Sequence, residues 1–554
     1  AADPRRLHEP AARRHWRLMA TAAQLVAQRL YEAGCRHAFG IPGGEVLTVM
    51  EALKEAGLEF VLVKHENSGG FMAEGTFHVT GAPGVLLATV GPGVANAVNF
   101  IVNAEQDRVP LIFLTGCVDP AEAQTYNHQV FDHAALIGSV AKASFTLVDG
   151  AVDTIIDKAV SIAMDGRPGP VHIDISTAIA GREQPDEAPT RRVKPAPVAP
   201  APGPDLDFAR NLLANAERPI LIAGVEVLEH DAADTVAAFA RDFSIPVITT
   251  YKAKGVLPED DPLSLGGWGL SPLGDSHLLP LVETSDLILL AGYDPIEMRA
   301  SWVKPWDARK TAVIEFSAVP NTHYVHQASL SFIGDVGAGL TTLRAGVEPR
   351  PVWSNGAPLE TRKALAEAFP PDEAWGPAAI CDEVNKLLPD DAIASVDTGA
   401  HRILLSSVWQ AKQPHTLVQS SALCTMGCAL PLAMGVKLAD PDRPAVAFTG
   451  DAGLEMVLGE LATLRDLKLP VVTVVFVDAS LALIEMKQRA SGMDNLGVDF
   501  GKTDFAAVAR ALGGIGVDVD NRADLAQAVR DGLAADTFTV IAAHIDRIAY
   551  DGRI

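Results

Sequence analysis

Residues 449–488 read TGDAGLEMVLGELATLRDLKLPVVTVVFVDASLALIEMKQ. An apolar run ends at Gly450, a helical pattern follows it, and a second apolar run covers 471–477. This order predicts a strand, a turn and a helix, then the same three elements again. Asp451 and Asp478 therefore each follow the carboxyl end of a strand, which is where open α/β sheets bind their ligands.

The two acids, and the small residues around the first of them, suit a site for a metal ion and a phosphate. Gly450, Ala452 and Gly453 let the backbone approach an anion at the start of a helix. Two carboxylates beside such a turn fit a magnesium ion that keeps substrate phosphates in its coordination shell. The alternative is a Rossmann-like unit whose acids are solvated loop residues.

The stretch resembles the diphosphate–metal motif of thiamine diphosphate (ThDP) enzymes, which begins Gly-Asp-Gly and usually ends Asn-Asn. Asp478 follows Asp451 by 27 residues, as that motif requires. The resemblance implies a metal ion bound by Asp451, Asp478 and the main-chain carbonyl of Ser480. The chain departs from the motif twice, with Ala452 for the last glycine and Val477-Asp478 for Asn-Asn. Because aspartate keeps an oxygen ligand, metal binding is compatible with the second change.

Composition indicates a globular protein of several domains. The chain has 554 residues, of which 48% are apolar and 21% charged, and its formal net charge is −24. Such acidity argues against nucleic acid or an anionic membrane as a partner, because both require a basic surface. The five cysteines form no CxxC pair, and no apolar run reaches the length of a membrane span. We therefore expect a cytoplasmic location.

Helical and strand patterns alternate through most of the chain, which predicts βαβ units and parallel sheets. Residues 1–18 are Arg-rich without an apolar core, and we expect an N-terminal arm there, either an addition to the natural chain or an extended start. Pro-containing stretches predict linkers at 184–204 and 347–376. The fold class we predict is α/β, with three consecutive doubly wound parallel-sheet domains, the middle one Rossmann-like. These domains cover 19–183, 205–346 and 377–554.

Seven further stretches, in matching order, resemble the acetolactate synthase and pyruvate oxidase branch of ThDP enzymes. They are FGIPGGEV, KHENSGGFMAEG, ATVGPGVANAV, RPGPVHIDI, YKAKGVLPEDDPLSLG, SVDTGAH and SALCTMGCALP. Seven matches in register are far more specific than any one of them. The resemblance implies a pyrimidine-binding first domain, a middle domain and a diphosphate-binding last domain. It also implies a homodimer or homotetramer whose active sites lie at a dimer interface.

The same stretches imply the residues that hold ThDP. Glu66 resembles the acid that contacts the aminopyrimidine ring and activates the cofactor, and the pattern puts it at the end of a strand over 60–65. Met426 resembles the bulky apolar residue that keeps ThDP bent, whereas an isolated methionine is more often core filler. The other implied contacts are main-chain groups of Cys424 and Met426, the diphosphate turn Gly399, Ala400 and His401, and Pro92 and Asn96 beside the pyrimidine.

The loop NHQVFDH at 127–133 is implied on the substrate side. Gln129 and Phe131 align with an active-site loop of acetolactate synthases. His128 adds an imidazole that can move protons near pH 7, and a surface or structural histidine is the alternative.

One position bears on the type of reaction. ThDP decarboxylases that release aldehydes carry an acid shortly after the metal motif. This chain has Ile484 there, which resembles the apolar residue of carboligases and oxidases. A shift of one residue would instead bring Glu485 to that position.

Flavin is a separate question, because acetolactate synthases and pyruvate oxidases carry FAD in the middle domain. Residues 205–346 contain no GxGxxG, and 292–299 do not resemble the flavin-side stretch of the synthases. We therefore expect no FAD.

The resemblance implies a magnesium- and ThDP-dependent lyase or carboligase that acts on a 2-oxo acid and a carbonyl acceptor. A decarboxylase that releases an aldehyde is the first alternative. A catalytically silent homologue that binds ThDP or regulates a partner subunit is the second, and the retention of Glu66 with both metal positions argues against it.

Overall fold

The computed structural model describes residues 19–185, 196–322 and 325–554. The predicted arm at 1–18 and residues 186–195 of the predicted linker lie outside the described residues. Three six-stranded sheets follow one another along the described chain. Every strand pair within them is parallel. The predicted class of three consecutive doubly wound α/β domains is therefore confirmed.

The first domain begins and ends in one short antiparallel pair, β1 (Met19–Thr21) with β8 (Glu183–Pro185). Its sheet strands are β2 (His37–Ile41), β3 (Glu59–Leu62), β4 (Gly84–Ala88), β5 (Leu111–Cys117), β6 (Ala143–Thr146) and β7 (Pro170–Ser176). They lie in the order β3-β2-β4-β5-β7-β6. The helices are α1 (Ala22–Glu32), α2 (Leu47–Ala56), α3 (Glu66–Thr80), α4 (Pro92–Gln106), α5 (His133–Ile137), α6 (Val152–Met164) and α7 (Thr177–Ala180).

The middle domain has the strand order β11-β10-β9-β12-β13-β14. These strands are β9 (Pro219–Ala223), β10 (Val247–Thr250), β11 (Ser264–Trp268), β12 (Leu287–Ala291), β13 (Ala312–Ser317) and β14 (Leu330–Ile333). The helices are α8 (Pro204–Asn215), α9 (Glu226–Glu229), α10 (Ala233–Phe243), α11 (Pro272–Thr284) and α12 (Val336–Arg344). A further helix, α13 (Ala357–Ala368), lies within the predicted second linker and packs against α11.

The last domain has the strand order β16-β15-β17-β18-β20-β19. These strands are β15 (Ile393–Val396), β16 (Leu417–Gln419), β17 (Ala445–Gly450), β18 (Val472–Val477), β19 (Ile515–Val519) and β20 (Thr539–His544). The helices are α14 (Pro377–Leu387), α15 (Ala400–Val408), α16 (Ala429–Ala439), α17 (Asp451–Met456), α18 (Glu460–Leu467), α19 (Ala482–Ala490), α20 (Phe505–Ala511) and α21 (Arg522–Ala534).

The central strands are apolar along their whole length because helices cover both faces of each sheet. β4 reads GVLLA, β12 reads LILLA and β18 reads VTVVFV, and every residue of the three is buried. Continuous burial of this kind is typical of parallel sheets. No helix among the described residues is both long and apolar enough to cross a membrane.

The first and last domains pack through α3 and α16. A Cβ on Gly75 would lie 2.3 Å from the carbonyl oxygen of Leu432, and one on Gly435 would lie 2.0 Å from that of Met72. The two helices therefore approach more closely than any side chain would allow. This contact fixes the position of α3, and with it the start of that helix at Glu66.

The strand predicted over 60–65 is shorter than expected, and this changes the position of Glu66. β3 ends at Leu62, and Glu66 is the first residue of α3, so its placement at the end of a strand is wrong. The reason is a helix cap: the Nδ1 atom of His65 accepts the main-chain hydrogen of Asn67 at 3.2 Å. α3 consequently begins two residues before the helical pattern at 68–79.

Candidate active site

The sheet of the last domain reverses its strand order between β15 and β17. Gly399, Ala400 and His401 follow β15, and Gly450 and Asp451 end β17 and begin α17. Ligands of open α/β sheets bind at such a reversal. A Cβ on Gly450 would lie 3.4 Å from Cε1 of His401, so the predicted diphosphate turn and the predicted metal turn are neighbours.

Asp397 joins the turns at this edge, and sequence reasoning missed it. Its carboxylate is 1% exposed and accepts the main-chain hydrogen of Gly427, at 2.8 and 2.9 Å to the two oxygens, and the hydroxyl hydrogen of Thr449 at 2.8 Å. A Cβ on Gly453 would meet Asp397 at 2.2 Å, which explains the glycine. Burial raises the pKa of Asp397. The one available signal was its place in SVDTGAH.

Two buried polar atoms at the predicted diphosphate turn have no hydrogen-bond partner within 19–185, 196–322 and 325–554. They are Nε2 of His401 and Oγ1 of Thr398. Burial, with a smaller contribution from Arg402, lowers the pKa of His401 to about 3. Buried polar atoms are nearly always hydrogen-bonded in native proteins, and a bound polar group would satisfy these two. The turn therefore fits a diphosphate.

The two candidate metal ligands are held close together. Asp451 is 4% exposed, and its Oδ2 accepts the main-chain hydrogens of Ala479 at 2.7 Å and Asp478 at 3.1 Å. The main-chain N–H of Ala452 donates to its Oδ1 at 2.8 Å, and Asp478 Oδ1 accepts from Ser480 at 3.0 Å. Among the described residues neither acid forms an ion pair with Lys, Arg or His.

The local charge favours a cation at this point. Burial, followed by the negative charge of Asp451, raises the pKa of Asp478 to about 7. Burial also raises the pKa of Asp451. Ala479 lies between Asp478 and Ser480 in the second turn. It has a φ of 57°, a left-handed conformation that a residue with a side chain adopts only when its surroundings hold it there. One buried and one half-buried carboxylate without an ion-pair partner among the described residues fit a magnesium site with the Ser480 carbonyl.

The predicted pyrimidine turn adds two arginines. Cys424 has a φ of 60°, and its Sγ accepts hydrogen bonds from Arg299 at 2.7 Å and Arg402 at 3.3 Å. Burial opposes ionisation of the thiol, but the two guanidinium groups outweigh it and lower the pKa of Cys424. Met426 is half-buried beside this turn. Arg299 comes from the middle domain, so sequence order gave no sign of the contact.

Glu66 lies in a second group, in the first domain. It is 3% exposed, and the side-chain amide of Asn96 donates to its Oε2 at 3.0 Å. Asn96 and Pro92 are exposed on the first turns of α4. We call residues 127–133 the substrate loop.

The substrate loop lies against the turn that begins α4. A Cβ on Gly91 would lie 2.4 Å from the carbonyl oxygen of Gln129. His128, Gln129 and Phe131 are all exposed. The structure therefore brings the first-domain candidates together at one end of α4.

The two groups meet only indirectly within one chain. Among the described residues no hydrogen bond or ion pair joins Glu66 or Asn96 to the metal turns, and the nearby link is Thr425 Oγ1 donating to Asn99 at 3.0 Å. Apolar side chains beside the metal turns are exposed, with Met456 at 62%.

Glu485 does not occupy a free position after the metal motif. It is 6% exposed, accepts a hydrogen bond from Ser480, and forms ion pairs with Arg489 at 2.7 Å and Arg547 at 2.8 Å. The side chain of Ile484, by contrast, is 45% exposed. On α19 the acidic Glu485 is thus buried and ion-paired, whereas the neighbouring apolar Ile484 is exposed.

The sheet of the middle domain reverses its order between β9 and β12, and the protein itself fills that crevice. A Cβ on Gly224 would lie 2.4 Å from the carbonyl oxygen of Gly292. Fully buried Glu226 accepts hydrogen bonds from Arg167 at 2.8 Å and from the main chain of Ala318 at 2.8 Å. The Glu226 carboxylate thus accepts hydrogen bonds from a guanidinium and a main-chain N–H, the kinds of donor that bind a phosphate. The absence of FAD stays a prediction.

Comparison with known families agrees with this geometry. Three domains of thiamine pyrophosphate enzymes match the chain in order: the N-terminal TPP binding domain at 20–136, the central domain at 206–343 and the C-terminal TPP binding domain at 397–543. These matches define the class of protein.

Individual relatives narrow the class. An acetolactate synthase large subunit of Parasynechococcus marenigrum is 32% identical over 96% of this chain and 89% of its own length. The acetolactate synthase of Bacillus subtilis is 28% identical over 95% and 93%, and the catabolic acetolactate synthase of Raoultella terrigena is 26% identical over 96% of each. The chain belongs to the ThDP-dependent enzymes, and among them to the acetolactate synthase-like family.

Proposed function

We propose that this enzyme is a magnesium- and ThDP-dependent carboligase that decarboxylates a 2-oxo acid and joins the remaining acyl unit to a carbonyl acceptor. The observation that carries the proposal is the pair of buried Asp451 and half-buried Asp478, which have no ion-pair partner among the described residues and lie near Nε2 of His401, which has no hydrogen-bond partner among them. When bound, ThDP supplies the nucleophilic carbon and the electron sink for this chemistry. The residues of the chain bind, orient and shield it.

In this proposal the metal ion is held by Asp451, Asp478 and the Ser480 carbonyl, and the diphosphate by the turn at 399–401. The small residues at 450–453 leave the backbone accessible to the phosphates. Met426 and the main chain at Cys424 support the pyrimidine.

Glu66 is the catalytic acid of the proposal. Its carboxylate is buried on one side, and the Asn96 amide fixes the orientation of Oε2. The other oxygen remains available to a pyrimidine nitrogen, where it exchanges a proton or a hydrogen bond during activation. Pro92 borders the same site, and Gln129 and His128 reach it from the substrate loop.

Carboligation is favoured over aldehyde release by the environment of α19. An acid that protonates a product must reach the substrate, yet Glu485 is committed to Arg489 and Arg547. Exposed Ile484 is the side chain able to face the substrate. An apolar wall there protects the reacting carbon from water until the acceptor arrives.

We further propose a cytoplasmic homodimer or homotetramer, with each site formed by the first domain of one subunit and the last domain of another. The support is that no hydrogen bond or ion pair joins Glu66 to the metal turns among the described residues, together with exposed apolar side chains: Phe131 and Leu136 in the first domain, Met456 and Leu496 in the last. The partners are small molecules. No FAD is proposed, since Glu226 fills the middle crevice.

The direct test is a panel of 2-oxo acids, beginning with pyruvate, with ThDP and magnesium present. Carbon dioxide release and product mass are measured with and without an aldehyde or 2-oxo-acid acceptor. We expect products that contain both donor and acceptor carbon atoms. Release of free aldehyde as the sole product would favour the decarboxylase instead.

A substitution tests the role of Glu66. Glu66→Gln should leave ThDP bound but lower turnover by about 10²- to 10⁴-fold, the usual contribution of a general acid–base group. Calorimetry of ThDP binding and steady-state turnover separate the two effects. Turnover near that of the parent protein would remove Glu66 from catalysis.

A further inference from the structure

A buried polar cluster lies beneath the substrate loop, and the proposed function does not use it. His133 begins α5 and is 4% exposed, while His172 and Asp174 lie on β7 and are 0% and 8% exposed. One nitrogen of each histidine and one carboxylate oxygen all lie within 4.8 Å of one another. Neither the metal turns nor the pyrimidine turn contacts this cluster through a hydrogen bond among the described residues.

The two partners of His133 define its tautomer. The main-chain N–H of Gly91 can only donate, so Nε2 of His133, 3.3 Å away, accepts. Nδ1 therefore carries the hydrogen and donates to Oδ1 of Asp174 at 2.8 Å. A neutral imidazole uses both of its nitrogens in this way.

Every remaining hydrogen in the cluster also has an acceptor. The Thr115 hydroxyl donates to Asp174 Oδ1 at 2.6 Å, its oxygen accepts from His172 Nε2 at 2.7 Å, and the Ser144 hydroxyl donates to His172 Nδ1 at 2.8 Å. Burial alone would raise the pKa of Asp174, but the hydrogen bond from His133, the His172 ring 3.5 Å away and the hydrogen bond from Thr115 together hold it below its ordinary value. The carboxylate is a fixed anchor for His133.

A metal ion is the other explanation for two histidines and an aspartate this close together. Ligation through Nδ1 of His133 would move its hydrogen to Nε2, which would then point at the N–H of Gly91. Two donors would face each other at 3.3 Å. The contact with Gly91 therefore favours a hydrogen-bonded network over metal ligation.

His133 fixes the substrate loop on one side. Gly91 has a φ of 72°, and the carbonyl of Gln129 lies where a Cβ of Gly91 would be. Gln129 has a φ of 61°, a conformation that persists in a residue with a side chain only when the surroundings impose it. Phe131 packs edge-on against His133, with ring centroids 4.8 Å apart.

The same contact reaches Glu66 on the other side. Gly91 immediately precedes α4, and Asn96 on the second turn of α4 donates to Glu66 at 3.0 Å. The substrate loop, His133, the Gly91 turn, Asn96 and Glu66 thus form one continuous path. Asp174, on a central strand, ties the path to the sheet.

We propose that His133 and Asp174 are positioning residues, whose hydrogen bonds to the Gly91 turn hold the substrate loop at a fixed distance from Glu66. The inference rests on the proposed function, in which Gln129 faces the substrate and Glu66 faces the cofactor. Misplacement by about 1 Å can cost about 100-fold in rate, so a pair that touches neither ligand can still govern turnover.

The test uses three variants of the full-length protein. His133→Phe keeps a ring but loses both hydrogen bonds, whereas His133→Gln can offer an oxygen to Gly91 and an N–H to Asp174. His230→Phe is the control, because Nδ1 of His230 also accepts a main-chain hydrogen, from Val336 at 3.2 Å, but in the middle domain. Amide hydrogen exchange of the peptide containing Gly91 reports the contact without reference to activity.

In His133→Phe, we expect the hydrogen-exchange rate of the Gly91 amide to rise at least about tenfold and kcat to fall at least about tenfold. The affinity for ThDP should stay within about threefold of the parent value. His133→Gln should restore most of both losses, and His230→Phe should change neither. Unchanged exchange in His133→Phe, or faster exchange with normal kcat, would overturn the inference. Stoichiometric zinc that is lost from Asp174→Asn would also overturn it. A parent protein without turnover would instead refute the proposed function, and exchange would still report the contact.

Discussion

The middle and last sheets reverse their strand order in the same way, yet the two crevices have opposite chemistry. In the part of the last domain that the structure describes, Asp451 and Asp478 form no ion pair with a described residue, and Nε2 of His401 has no described hydrogen-bond partner. In the middle domain, Glu226 is paired with Arg167, and Asp294 with Arg108 at 2.9 Å. Both arginines come from the first domain. The crevice of the last domain thus presents polar groups that a ligand can contact, whereas two acids of the middle-domain crevice form ion pairs with the first domain.

This difference shows that topology supplies a position and side chains decide its use. Both reversals place acidic residues just after central strands, as the general rule for open sheets expects. Arg108 and Arg167 pair with Asp294 and Glu226, so these two acids already have positively charged partners, whereas both carboxylate oxygens of the neighbouring Glu229 lack a hydrogen-bond partner among the described residues. Asp451 and Asp478 of the last domain have no ion-pair partner among the described residues, which is why we propose a cation site there.

The largest expected effect is at the metal turn. Asp451→Ala should weaken magnesium-dependent ThDP binding by about 100-fold or more, because one metal ion must bridge the diphosphate to the protein. Calorimetry with magnesium present measures this. Asp390→Ala removes an exposed acid paired with Lys412 at 2.9 Å and should leave the affinity unchanged. Equal affinities in the two variants would remove Asp451 from the metal site.

The middle crevice should respond in stability rather than in binding. Glu226→Gln removes the closer of the two carboxylates beside Arg167 and leaves Asp294 at 3.6 Å, so it should lower the free energy of unfolding by up to about 3 kcal/mol. Urea titration measures this loss, while ThDP affinity of the folded protein should stay at the parent value. Asp307→Asn breaks an exposed pair with Arg309 and should leave the free energy of unfolding nearly unchanged. A loss of ThDP affinity at Glu226 would contradict the division between the two crevices.

A smaller effect is expected at Asp478. The carboxylate of Asp478 is the second one at this site, beside that of Asp451. It strengthens the attraction to the metal ion and increases the repulsion of the diphosphate when the ion is absent. Asp478→Asn keeps an oxygen and removes that charge, so activity should persist. ThDP binding without magnesium should improve about fivefold, equivalent to about 1 kcal/mol. Magnesium titrations of ThDP binding in both proteins measure the change, and superimposable curves would mean that Asp478 is not a ligand.

The smallest expected effect is that of added flavin. Because Glu226 occupies the donors at the middle crevice, FAD should not change the thermal unfolding midpoint, whereas ThDP with magnesium should raise it. The purified protein should be colourless. Flavin absorbance near one equivalent would show that the crevice binds a dinucleotide despite Glu226, and would make the two reversals alike.

The sequence by itself determined the fold class and, through the resemblance to ThDP enzymes, the prediction that Asp451 and Asp478 belong to a metal site. Local order and spacing suffice for these, because a strand, a small-residue turn and an acid are consecutive in the chain. In the structure, Asp451 and Asp478 lie in two adjacent turns. The main-chain N–H groups of Asp478 and Ala479 donate hydrogen bonds to the Asp451 carboxylate and join these turns. Glu66 was identified from its motif but assigned to the wrong element, because a histidine cap started α3 early.

Tertiary structure alone decided which side chains neutralise or orient these groups. Arg299 reaches Cys424 from 125 residues away, Arg167 reaches Glu226 from the first domain, and His133 meets Asp174 across two elements. No local pattern encodes such contacts, because they depend on how separate strands and domains pack. The presence of an acid at these positions is therefore evident from the sequence, whereas its burial, its pKa and its partner are fixed by the fold.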